Sequence, residues 1–214
     1  MKQLLIEQVS TIEVPKQTLL ESISKNDGRL IIKNVLLQRA DTPNRNKRVY
    51  PYRHLDRALN EYFNKIHNKN AFSELDHPID ENLANVISLK NVCQAICDAR
   101  WKGNEIYGDV EILKTPSGNI VKEILLSGYR VGQSSRGLGS VEPLHENNGD
   151  DELVEVQDDF EFLTLADCVS DPSTHNADMI LHENKNNINK RVDSKIDLLI
   201  HDILCELNNN CCLK

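Results

Sequence analysis

A short alternating segment beside a tight turn most constrains the fold of this chain. From Ile106 to Leu113 apolar and polar side chains alternate, and Lys102-Gly103-Asn104 separates them from an apolar stretch, residues 86–101. Alternation with a period of two is typical of a strand with one buried face, and a Gly-containing turn between two such segments indicates a β-hairpin. An antiparallel sheet is therefore the first predicted part of the fold.

Other segments extend the sheet and add helices. Apolar residues recur at three- and four-residue intervals after Pro51 as far as His67, which predicts an amphipathic helix, and residues 119–126 suit a shorter one. Four further strands are predicted, over residues 30–38, 129–141, 153–157 and 160–169. The predicted class is mainly β with peripheral helices (α+β), arranged as a closed or partly closed barrel.

The periodicity also divides the chain. Its 214 residues suffice for one domain with tails. Residues 1–28 have weak periodicity and are interpreted as an N-terminal arm, and the domain itself is expected over residues 29–180. Residues 181–214 contain a polar linker, N-K-N-N-I-N, and then apolar residues at helical spacing from Val192 to Leu207. This end is predicted to be a flexible linker followed by an amphipathic helix.

Charge and cysteine usage exclude several classes of protein. A net charge of -8 with dispersed Lys and Arg is unlike a nucleic-acid-binding surface. The six cysteines include no C-x-x-C pair, so no zinc site, other metal or cofactor is expected, and the thiols are expected to be free in a reducing interior. No apolar run reaches the ~20 residues that span a bilayer.

Three residue types suggest serine nucleophile chemistry. Ser134 and Ser135 lie in the glycine-rich segment G-Q-S-S-R-G-L-G-S, His77 precedes a proline, and Asp167 interrupts an apolar strand. Serine hydrolysis needs such a nucleophile, base and orienting acid, together with oxyanion donors, for which Arg136 or the main-chain N–H groups near it are candidates. Taken singly, each has a plainer interpretation: a surface turn, a loop histidine, and a hydrogen-bonding residue at the end of a strand. His175 also remains open as the base.

Five blocks together resemble one family, the prohead core proteases of T-even-type bacteriophages. They are N-R-N-K-R-V-Y-P (44–51), E-L-D-H-P (74–78), W-K-G-N-E-I-Y-G (101–108), G-Q-S-S-R-G-L-G-S (132–140) and D-C-V-S-D-P-S (167–173). The resemblance implies that His77 is the base, Ser134 the nucleophile and Asp167 the third member. It also implies a fold similar to the herpesvirus assembly proteases, a β-barrel with peripheral helices. Those enzymes depend on dimers, so a homo-oligomer is a further expectation.

The resemblance implies substrates and a location as well. The family cleaves phage scaffold and core proteins and the major capsid protein inside the prohead, in the bacterial host cytoplasm. Its members cut after Glu in motifs of Leu or Ile, any residue, Glu. This chain contains such motifs itself, among them four that end at Glu7, Glu21, Glu183 and Glu206. Self-cleavage at these four sites, in end segments expected to be mobile, is therefore a hypothesis.

Two other functions fit the sequence less well. The first is a catalytically silent component of the capsid core with the same fold. The second is a hydrolase that uses metal-activated water, with Asp76, His77, Asp80 and Glu81 as ligands. Reaction with a serine-directed reagent distinguishes the first from a protease, and a chelator tests the second.

Overall fold

Strands form most of the regular backbone. The computed structural model describes residues 2–78, 84–144 and 153–170. Within these ranges lie three helices, α1 (Lys16–Lys25), α2 (Tyr52–His67) and α3 (Pro116–Leu126). The ten strands are β1 (Gln3–Ile12), β2 (Leu30–Arg39), β3 (Arg48–Val49), β4 (Phe72–Glu74), β5 (Val92–Lys102), β6 (Glu105–Ile112), β7 (Val131–Gly139), β8 (Val141–Pro143), β9 (Val154–Val156) and β10 (Glu161–Val169). The predicted mainly β class is confirmed.

The predicted hairpin organises the largest sheet. β5 and β6 pair antiparallel from Lys102 opposite Glu105, so a two-residue turn joins them. Gly103 in this turn has a φ of 61°, in the left-handed region that favours glycine. β5 begins at Val92 rather than at Val86, because the preceding residues form turns that lead from β4. The hairpin prediction is therefore confirmed, with a shorter first strand.

The strands lie in three hydrogen-bonded sheets. Their orders are β1-β7-β10, β2-β6-β5-β4 and β3-β9-β8. An isolated parallel bridge between Leu75 and Cys168 connects the edge that follows β4 to β10. Within the described residues the strands do not close into one hydrogen-bonded barrel, so the predicted herpesvirus-protease-like barrel is not confirmed.

The N-terminal segment is part of the domain rather than a separate arm. β1 pairs antiparallel with β7 along most of its length, from Gln3 opposite Gly139 to Ile12 opposite Val131. Leu5, Ile12 and Leu19 are buried in the common core. The structure thus corrects the interpretation of residues 1–28 as an arm: its strand buries a charged residue, Glu7, which weakens the apolar periodicity that marks a strand in sequence.

The helices follow their sequence signals closely. α2 begins directly after Pro51 and buries Leu55, Ala58 and Leu59 on one face. His54 is buried too, with Nδ1 2.9 Å from the carbonyl oxygen of Val156. The short helix begins at Pro116 rather than Asn119, with Thr115 as a capping residue that accepts a hydrogen bond from the Gly118 N–H at 3.0 Å.

All described residues belong to one compact unit, residues 1–172. The linker and amphipathic helix predicted over residues 181–214 lie outside the described residues, so they stay predictions. In the described part of the chain, no helix has the length and apolarity needed to cross a membrane.

Candidate active site

Ser134 lies in the middle of β7, the central strand of its sheet. β7 pairs with β1 on one side and β10 on the other, and nearly all of its residues are buried. The glycines of this strand allow close packing: a Cβ at Gly137 would come within 2.5 Å of the Phe160 ring. The glycine-rich segment is therefore a regular strand, within the one predicted over residues 129–141, and the positions of Ser134 and Ser135 are fixed in it.

The two neighbouring serines have different surroundings. Successive side chains of a strand point to opposite faces of the sheet. Ser135 accepts a hydrogen bond from Gln38 Nε2 at 3.2 Å in the buried interior. The Ser134 Oγ is instead 2.8 Å from the Nε2 of His77. The structure thus separates Ser134, which meets the histidine, from Ser135, which does not.

A β-bulge in β10 brings Asp167 to Ser134. Thr164 lies opposite Arg136, whereas Asp167 lies opposite Ser134, so β10 has one more residue than β7 between these pairs. Without the extra residue, Ala166 would face Ser134 and the Asp167 side chain would point to the other side of the sheet. Bulges commonly redirect a side chain in this way. The bulge therefore places a carboxylate beside the serine.

His77 is held by the segment that follows β4. The N–H of Asp76 donates to the carbonyl of Cys168 at 2.7 Å, next to the Leu75–Cys168 bridge. Asp76 has a φ of 60°, a left-handed conformation that Asp tolerates better than most residues. The chain therefore turns sharply at Asp76, beside β10, immediately before the histidine.

The three residues form one hydrogen-bonded series. The Nδ1 of His77 is 2.9 Å from the Oδ2 of Asp167, and its Nε2 is 2.8 Å from the Ser134 Oγ. Since an ionised carboxylate only accepts, the ring donates through Nδ1 and accepts the serine hydroxyl at Nε2. The His77 side chain is 20% exposed, while that of Asp167 is fully buried. Solvent therefore reaches this series from the histidine side.

A buried ion cluster lies behind Asp167. The Nε of Arg136 donates to Asp167 Oδ2 at 2.9 Å, Nη1 donates to the carbonyl of Ala84 at 2.9 Å, and Nη2 donates to the carboxylate of Glu74. All three ionic side chains are fully buried. This argues against the Arg136 guanidinium as an oxyanion donor, because its Nε, Nη1 and Nη2 each donate to a buried protein acceptor.

The predicted cleavage sites have unequal surroundings. Glu7 lies in β1 and is only 2% exposed. Its carboxylate accepts hydrogen bonds from Arg48 Nη1 at 2.8 Å, Tyr50 OH at 2.8 Å and Asn46 Nδ2 at 2.7 Å. Glu21 lies exposed on α1. These positions correct the expectation that the N-terminal motifs lie in a mobile end, whereas Glu183 and Glu206 lie outside the described residues.

The proposed metal ligands can be compared only in part. Asp80 and Glu81 lie outside the described residues. Among the residues that the structure does describe, no three or more His, Cys, Asp or Glu side chains converge as metal ligands would. Both ring nitrogens of His77 are engaged by Asp167 and Ser134. This arrangement favours the serine interpretation of His77 over the metal one.

Sequence reasoning gave Glu74 no role. Glu74 begins the block E-L-D-H-P, yet its side chain is fully buried and its main-chain N–H donates to Asp167 Oδ1 at 2.8 Å. The available signal was a carboxylate beside the apolar Leu75, since a buried carboxylate needs a partner, but no strand was predicted at this position. Its partner, Arg136, is 62 residues away, so local sequence did not reveal the pair.

Comparison with known proteins shows the family of this chain. The family described as "Prohead core protein serine protease" matches residues 6–187. The prohead core protein protease of Enterobacteria phage T4 is 32% identical over 151 residues, which cover 69% of this chain and 66% of the relative, about two thirds of its length. The structure of the bacteriophage T4 capsid assembly protease is similar with a TM-score of 0.62 and 30% identity, over 79% of this chain and 99% of that chain. The chain therefore belongs to the prohead core protein serine protease family.

Proposed function

We propose that this chain is a serine endopeptidase of phage prohead maturation, with Ser134, His77 and Asp167 as its catalytic residues. One observation carries the proposal: a single imidazole lies 2.8 Å from a serine hydroxyl and 2.9 Å from a buried carboxylate. This is the geometry that activates a serine as a nucleophile. The family match adds that related chains are proteases.

The chemical steps follow from the positions of the protons. His77 Nε2 takes the hydroxyl proton as Ser134 Oγ attacks a peptide carbonyl, and the resulting imidazolium returns a proton to the leaving amine. Water then hydrolyses the acyl-enzyme, with His77 again as the base. Asp167 keeps the Nδ1–H in place and stabilises the imidazolium. Peptides approach from the His77 side, where the series meets solvent.

Oxyanion stabilisation is assigned to the main chain. The Arg136 guanidinium is fully buried and donates to Glu74, Asp167 and the Ala84 carbonyl. Main-chain N–H groups close to Arg136 are therefore the better candidates, and each such donor contributes on the order of 100- to 1000-fold in kcat.

The proposed substrates are proteins of the phage head. The relatives are a prohead core protein protease and a capsid assembly protease, which supports phage scaffold and core proteins and the major capsid protein as substrates, inside the prohead. We propose cleavage after Glu in Leu/Ile-x-Glu motifs, as the family resemblance implies. Assembly as a homo-oligomer belongs to the same proposal.

Self-cleavage is proposed for the C-terminal motifs. Cleavage after Glu7 would require β1 to separate from β7 and would disrupt three hydrogen bonds to a buried carboxylate. Cleavage after Glu21 would require α1 to unwind. We therefore assign self-cleavage to Glu183 and Glu206, which mass measurement of the incubated protein tests. Cleavage first at Glu7 would contradict this order.

We propose that two of the sheets, β1-β7-β10 and β2-β6-β5-β4, together form a barrel of the herpesvirus-protease type. Their edges meet twice: at the Leu75–Cys168 bridge, and where the Ser10 hydroxyl donates to the Leu36 carbonyl at 2.7 Å between β1 and β2. A ring of seven strands interrupted at two seams would result. A solved structure of this chain that keeps the two sheets apart at either seam would contradict the proposal.

Cleavage of a peptide by serine variants tests the proposed function. The wild type and Ser135→Ala are expected to cut a peptide containing a Leu-x-Glu motif, because Ser135 faces Gln38 rather than the histidine. Ser134→Ala is expected to lose cleavage. Equal rates for Ser134→Ala and the wild type would reject the serine mechanism. If the wild type cuts a capsid protein but not the peptide, only the proposed Leu/Ile-x-Glu motif is rejected.

A further inference from the structure

The ion cluster behind Asp167 has an unequal number of charges. Arg136 lies between two carboxylates, those of Asp167 and Glu74, and all three side chains are fully buried. The second oxygen of Glu74 accepts the Ser88 N–H at 3.1 Å, and the second oxygen of Asp167 accepts the Glu74 N–H at 2.8 Å. Each carboxylate is thus fully bonded in its ionised form, and one net negative charge remains.

Among the residues that the structure describes, the other polar groups around Asp167 are neutral or distant. Burial raises the pKa of Tyr62 on α2, and a hydrogen bond with Cys168 together with burial raises the pKa of Cys93 on β5, so both stay protonated. Lys65 of α2 bonds the carbonyls of Phe162 and Leu163, further along β10. Asp76 precedes His77 but is exposed. The charges that face Asp167 from β4 and β7 are therefore those of Glu74 and Arg136.

The single net charge matches what the histidine needs. Without Glu74, the guanidinium would neutralise Asp167 and leave little to stabilise a cation on the ring. With Glu74, one negative charge faces His77, so protonation of the ring makes the whole cluster neutral. Interactions between charges are strong where water is excluded. The proton that leaves Ser134 would therefore create no unbalanced charge behind the histidine.

We propose that Glu74 and Arg136 are positioning residues that act through Asp167: Arg136 and the Glu74 N–H fix the carboxylate towards His77, and the Glu74 charge offsets that of Arg136. This inference rests on the proposed serine mechanism for its catalytic consequence. Its electrostatic part concerns only the protonation of His77, which is measurable without any substrate.

The experiment follows the His77 ring by NMR titration in the full chain, with its signals assigned from a His77→Gln variant. Glu74→Gln removes one negative charge, so the imidazolium is disfavoured and the titration midpoint falls by on the order of one pH unit. The double variant Glu74→Gln with Arg136→Met removes both charges. Arg136 lies nearer to Asp167 than Glu74 does, so the loss of its positive charge outweighs the loss of the Glu74 charge. The His77 midpoint of the double variant therefore returns to the wild-type value or above. The same shift in the acid limb of the cleavage profile is expected, with kcat/KM about tenfold lower for Glu74→Gln.

A purely structural role gives a different pattern. Loss of packing alone would leave the Glu74→Gln midpoint unchanged or displace both variants downwards, and either result overturns the inference. If Glu74→Gln does not fold, the double variant decides the matter: a midpoint below that of the wild type overturns it. A wild type that cleaves no peptide would reject the proposed function, while the His77 midpoints would still test the cluster.

Discussion

Asp167 lies directly opposite Ser134 on the neighbouring antiparallel strand, and two register shifts in β10, one of them between Thr164 and Asp167, set this pairing. The two side chains therefore share one face of the sheet, and the ring of His77 lies between them. Its Nδ1 is 2.9 Å from Asp167 Oδ2, and its Nε2 is 2.8 Å from Ser134 Oγ. A nucleophile and an orienting acid on rigid paired strands need only one further element, the histidine segment, to complete the site.

Asp167→Asn tests the orienting carboxylate. The amide removes the charge that stabilises an imidazolium and can select the wrong ring tautomer, so kcat is expected to fall by about 1000- to 10,000-fold, as in other serine hydrolases of this type. Rates of peptide cleavage measure the loss. Asp98→Asn is the matched control, because that carboxylate is exposed and pairs with Arg100. Similar rates for both variants would remove Asp167 from the mechanism.

Glu7→Gln tests the buried carboxylate of β1. Its three donors include the charged Arg48, and hydrogen bonds to a charged group contribute about 1.5–3 kcal/mol each. The free energy of unfolding is therefore expected to fall by about 2 kcal/mol in urea titrations. Glu21→Gln, on the exposed face of α1, should change it by less than about 0.5 kcal/mol. Equal effects would show that β1 is not anchored through Glu7.

Tyr50 makes stability depend on alkaline pH. Burial, with the charge of Glu7 and the hydrogen bond to it, raises the pKa of Tyr50 well above its ordinary 10.0. The neutral phenol therefore contributes stability that is complete below the unfolded pKa and is lost as pH rises towards the folded pKa. Between about pH 10 and about pH 11, the wild type should lose about 1 kcal/mol more than Tyr50→Phe in unfolding titrations. Parallel curves for the two proteins would contradict this.

The sequence predicted those parts of the fold whose signals are local. No information from distant parts of the chain was needed to recognise the alternation up to Leu113 or the helical spacing after Pro51. The same is true of the serine, histidine and aspartate, which lie within recognisable blocks. Asp167 lies in a strand where one was predicted, but its place opposite Ser134 depends on two register shifts in β10, which strict alternation does not reveal.

Two features stayed hidden because their partners are far away along the chain. β1 contains a glutamate where a core residue is expected, and its donors Arg48 and Tyr50 lie about 40 residues later. Arg136 looked like a cation beside the nucleophile, whereas it is buried against Glu74 and Asp167. Buried charges are paired by the tertiary fold, so apolar periodicity alone misplaces them.

Labelling of the native protein with a fluorophosphonate, followed by peptide mapping with mass spectrometry, tests the central claim most directly. An activated serine reacts with this reagent, so the wild type is expected to carry one adduct, on Ser134, and His77→Gln to carry none. An adduct on Ser135 or Ser140 with Ser134 unmodified, or continued peptide cleavage by protein whose Ser134 is fully modified, would contradict the assignment of Ser134 as the nucleophile.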